Sequence, residues 1–152
     1  MATWYHLLLV FLLTGFCTLE KSSVHTFASG PTPGKPQNVS KNDPAVKQAV
    51  LTATYSFNNQ SNDAFFFKAS AIDDAQRQIV KGVMYILEVE ISRTKCKKRE
   101  TNVDLAKCPF QSKRVLQETL LCKFEVWAIP WQKIMKTTSF FCSASYRSKP
   151  AL

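Results

Sequence analysis

Val83, Tyr85, Leu87, Val89 and Ile91 share one parity, with Glu88, Glu90 and Ser92 on the other, and this run constrains the fold more than any other feature. Successive side chains of a strand leave on opposite faces, so the run describes a strand with one face on a core and one on water. Cys122, Phe124, Val126 and Ala128 repeat the period, with Lys123 and Glu125 opposite. The segments Ala64–Val80 and Thr137–Tyr146 read as further strands. Helical spacing occurs in one place. Val46, Ala49, Val50, Ala53 and Phe57 make a single apolar face over residues 44–58. Asp43 can cap that helix, Pro44 suits its first turn, and the polar run from Asn58 to Asp63 reads as the turn that ends it. One helix with several alternating strands is an α+β domain, an antiparallel sheet covering the helix with one face.

The flanks read differently. Leu7–Phe16 is an apolar run in a stretch with no Lys, Arg, Asp or Glu before Glu20. A membrane span takes about 20 apolar residues, so the run fits a signal peptide over residues 1–17, with cleavage after Cys17. Residues 18–42, with Gly30, Pro31, Pro33, Gly34 and Pro36, read as a flexible arm. The folded domain is then 43–142, and 143–152 is a C-terminal extension. No later segment is apolar for long enough to cross a membrane. Asn38-Val39-Ser40 and Asn59-Gln60-Ser61 are N-glycosylation sequons at Asn38 and Asn59. Removing the signal leaves four cysteines, Cys96, Cys108, Cys122 and Cys142. An even number in a secreted chain reads as two disulfides, with three pairings open. A zinc site is set aside, since no C-x-x-C pair and no nearby histidine is present.

Catalysis is argued against by what the folded part lacks. The two histidines of the chain, His6 and His25, fall in the signal and the arm, so no imidazole is positioned to serve as a base. Asp73-Asp74 reads as a solvated turn rather than a carboxylate pair, and no phosphate-binding glycine loop is present. Neither a cofactor nor a metal is expected. The formal net charge of +9 favours anionic partners in general. The densest basic run, Lys95-Cys96-Lys97-Lys98-Arg99, has no interleaved aromatics for stacking bases, so it reads as a solvated face and no specific nucleic acid is expected.

Gln78-Ile79-Val80-Lys81-Gly82 resembles the Q-x-V-x-G motif of the cystatins, inhibitors of papain-like cysteine proteases. Pro130-Trp131 is similar to the Pro-Trp pair of that family's second hairpin, and Gly34 stands where the family has its N-terminal glycine. The four mature cysteines follow the order and spacing of the secreted, type 2 members. The resemblance implies a cystatin-like antiparallel sheet wrapped around one long helix. It also implies pairing in sequence order, Cys96 with Cys108 and Cys122 with Cys142.

On the same resemblance, the protease-binding residues are Gly34, Gln78, Ile79, Val80, Lys81, Gly82, Pro130 and Trp131, forming a wedge that fills the protease cleft with no chemical step. Ser61-Asn62-Asp63 resembles the loop with which some type 2 members inhibit legumain, which makes Asn62 a second candidate contact. Read from residues alone, Asn62 is a helix-terminating turn residue. One family member forms a disulfide-linked dimer and carries a cysteine where this chain has Gln60. No cysteine lies between residues 18 and 95 here, so a monomer is expected. The expected location is extracellular, with endosomes or lysosomes also open. The alternative function is a non-inhibitory protein of the same fold that binds polyanions or microbial membranes through its basic surface.

Overall fold

The structure is a computed structural model that describes residues 34–145. The expected signal peptide, arm residues 18–33 and tail residues 146–152 lie outside the described residues. In chain order the elements are β1 (Gln37–Asn38), α1 (Pro44–Gln60), β2 (Phe65–Val80), β3 (Gly82–Lys97), β4 (Thr119–Ile129) and β5 (Ile134–Ala144). The strands form one sheet in the order β1-β2-β3-β4-β5, each antiparallel to its neighbour.

Local chemistry explains the helix. The Asp43 carboxylate accepts from the Ala45 N–H at 2.8 Å, and Pro44 takes the first helical position. The helix runs to Gln60, past the end expected from its polar residues, because Asn58 is a core residue rather than a turn residue. Its Oδ1 accepts from the Phe67 N–H and its Nδ2 donates to the Phe67 C=O, each at 2.8 Å. A buried amide satisfied in this way joins the last helical turn to β2.

The apolar face of α1, Val46, Ala49, Val50, Ala53 and Phe57, packs against Phe67, Ala75, Tyr85, Leu87, Val89, Ile91, Phe124, Val126 and Ala128. Phe57 meets Phe67 edge-to-face at 5.4 Å between ring centroids. Register shifts in β2 after Phe65, Ala69 and Ile72 bend the long β2–β3 ribbon around the helix. The disulfides join Cys96 to Cys108 and Cys122 to Cys142. The second ties β4 to β5 at directly opposed positions. The first ties the end of β3 to the short helical turn Leu105–Lys107.

Several boundaries differ from the sequence reading. Residues 37–38 pair with Arg77 and Gln76, and Val39 is half-buried, so the end of the expected arm is part of the sheet. Backbone pairing needs no apolar period, which is why composition did not reveal it. Asp73-Asp74 lies within β2 at one of its irregularities, not in a turn. β5 begins at Ile134 instead of Thr137 and ends at Ala144. Among the described residues no helix is long and apolar enough to cross a membrane, and no group of three His, Cys, Asp or Glu could hold a metal ion.

Candidate functional site

In an antiparallel meander the turns alternate between the two ends of the sheet. The β2–β3 and β4–β5 turns therefore share one end. β1 runs against β2, so the residues preceding it reach the same end. Gly34 donates its N–H to the C=O of Ile79 at 3.2 Å. The tip of the first hairpin is Lys81, with Val80 paired to Gly82 across it. The second hairpin closes through a helical turn at Pro130–Gln132, and Ile129 pairs with Ile134 below it. Lys133, in the left-handed region at φ 55°, donates its N–H back to Pro130 at 3.1 Å.

The two hairpins are locked to each other. Gly82 has φ +112°, and a Cβ there would lie 2.4 Å from the Ala128 carbonyl oxygen and 3.2 Å from Trp127 Nε1. A side chain is excluded twice over, by dihedral and by close strand approach. The Trp127 indole N–H donates to the C=O of Lys81 at 2.9 Å, and the Lys136 ammonium lies 5.1 Å from the Trp127 ring centroid. Gly34 differs, since nothing lies within 4 Å of the position its Cβ would take.

This edge exposes apolar surface. Trp131 is 71% exposed and Ile79 58% exposed, with Ile134 also open to solvent. Pro130 and Lys81 are exposed, Gln78 and Val80 are half-buried, and Gly82 is buried. Ile79 presents more apolar surface than the half-buried Val80 beside it. Two contributors were missed. Trp127 stands on the polar parity of β4, between Val126 and Ala128, and a tryptophan out of phase with its strand was the available signal. Ile134 was missed because the strand was read as starting later.

Asn62 lies elsewhere. The 61–64 loop joins α1 to the start of β2, and 16-residue β2 separates it from the hairpin tips by up to about 50 Å of strand. Asn62 is exposed. Ser61 Oγ accepts from the Asp63 N–H at 3.2 Å, and Asp63 Oδ1 accepts from the Phe65 N–H at 2.8 Å. Arg93 pairs with Asp63 and Glu118. Burial pushes the Lys98 ammonium below its ordinary range, with the Asp63 carboxylate pulling the other way. Asn38 is exposed on β1 and Asn59 is exposed in the last turn of α1.

Residues 34–131 match the family described as "Cystatin domain". Human Cystatin-F is 50% identical over 99 residues, covering 65% of this chain and 68% of the relative. Human Cystatin-C is 35% identical over 122 residues, covering 76% and 82%. The crystal structure of dimeric human cystatin F superimposes with a TM-score of 0.74 at 40% identity, covering 83% of this chain and 99% of that one.

Proposed function

The chain belongs to the cystatin family, whose members inhibit cysteine proteases and are not enzymes, and from that premise we propose that it is a reversible, tight-binding inhibitor of papain-like cysteine proteases of the cathepsin type. The observation that carries the reading is the shared edge. Three segments distant in sequence, at Gly34, Lys81 and Trp131, meet at one end of the sheet and are tied by the Gly34–Ile79 and Trp127–Lys81 hydrogen bonds. A stiff edge needs little backbone ordering on binding, so less of the affinity from its apolar anchors is offset by lost conformational entropy. The Q-x-V-x-G tip and Trp131 enter the protease cleft as a wedge, presenting no bond in a cleavable geometry, and inhibition is steric occlusion.

The protein acts as a secreted monomer with glycans at Asn38 and Asn59. All four described cysteines are paired within the chain, so none of the four is free to form a covalent dimer. A second site, Asn62, engages legumain at the opposite end of the sheet, so both enzymes can be held together. Titrating papain with residues 18–152 tests the first reading. Stoichiometric inhibition that survives added salt is expected, because apolar burial is insensitive to screening. Active papain throughout the titration would refute it.

A further inference from the structure

Lys98 belongs to the basic run at the end of β3, yet its ammonium is used inside the protein. Its Nζ donates to the C=O of Asn58 and to the C=O of Ser61, both at 2.5 Å, and its backbone N–H donates to the C=O of Ala64 at 2.9 Å. One residue thus holds three carbonyls at three-residue intervals across the helix end and the 61–64 loop. The last turn of α1 contains no basic residue. Its terminal carbonyls, which lack intrahelical partners and carry the negative end of the helix dipole, receive their cation from the residue just after β3 instead. Asp63 is held from the other side by Arg93, and the Asn58 side chain closes the base of the loop on Phe67. Asn62, between these fixed points, is exposed and makes no side-chain hydrogen bond to the described residues.

We propose that Lys98 is the positioning residue of the second inhibitory site, wrapping the 61–64 loop around its ammonium so that the Asn62 side chain is presented to an asparagine-reading protease pocket. The proposal rests on the reading of Asn62 as a legumain contact. A loop held in this way enters the pocket with little further loss of backbone freedom.

The test compares Lys98→Met and Lys98→Arg with the parent protein, all enzymatically deglycosylated, by inhibition constants for legumain and papain and by amide exchange at Asp63 and Phe65. Lys98→Met keeps the aliphatic stem and removes the donors. It is expected to weaken legumain inhibition by about tenfold or more, the loss that accompanies ordering even one loop residue on binding. Papain inhibition should stay within about twofold of the parent, exchange at Asp63 and Phe65 should accelerate, and Lys98→Arg should retain most of the legumain inhibition. Unchanged legumain inhibition in Lys98→Met overturns the proposal, and so does an equal loss against papain. A parent protein inactive against legumain sinks the Asn62 reading instead. The exchange data then decide the clamp separately, with unchanged rates in Lys98→Met overturning it.

Discussion

Gly82→Ala tests whether close strand approach builds the protease-binding edge. The added methyl would stand 2.4 Å from the Ala128 carbonyl oxygen, about an ångström inside ordinary contact, and that atom is backbone that no rotamer change can remove. The φ of +112° adds about 1–3 kcal/mol of strain for a residue with a Cβ. Relief requires β3 to move off β4 at the tip, which breaks the Trp127–Lys81 hydrogen bond, a net contribution of about 0.5–1.5 kcal/mol. Together these terms come to about 2–4 kcal/mol, or roughly thirtyfold to a thousandfold in affinity. The assay is the papain inhibition constant of Gly82→Ala, measured beside Gly34→Ala, whose Cβ meets nothing within 4 Å in the free protein. Differential scanning calorimetry on both variants locates the cost. Tip opening leaves the core intact, so the affinity should fall much further than the melting temperature. An inhibition constant within about threefold of the parent would refute the reasoning, since an edge that tolerates displaced strands is not set by their approach.

Trp131→Ala should weaken papain inhibition by about thirtyfold or more while leaving the unfolding midpoint in place, because the side chain is 71% exposed. Deleting residues 18–33 should cost less, since the small side chains of Thr32 and Pro33 offer little apolar area for burial against a protease, and a larger loss on deletion contradicts this ranking. Asn58→Ala strands the Phe67 N–H and C=O in the core, so urea unfolding should register a loss of about 2–4 kcal/mol, and an unchanged midpoint would show the amide to be dispensable. Burial, then the Asp43 carboxylate, raises the Tyr85 hydroxyl above its ordinary 10.0, while Arg77 opposes them. The unfolded chain therefore releases this proton first, so the Tyr85 contribution to stability should be constant below about pH 10 and be lost above it, with the alkaline fall reduced in Tyr85→Phe.

The periodicities determined much of this protein. The alternation of Val83–Ile91 and of Cys122–Ala128, and the helical spacing of Val46–Phe57, each fixed an element and its buried face, and those residues make up most of the core, which Phe67 and Ala75 of β2 complete. Such patterns are legible because burial acts on each residue through its own position in a repeat. Tertiary structure decided what depends on partners across the chain. Asn58 looks like a helix stop and is a buried bridge to Phe67. Lys98 looks like one lysine of a solvated run and is the cation of a distant helix end. Trp127 and Gly82 acquire their roles only when β3 and β4 lie side by side. A polar group's role is set by which donor or acceptor reaches it, and that is a property of the assembled fold, which no local period encodes.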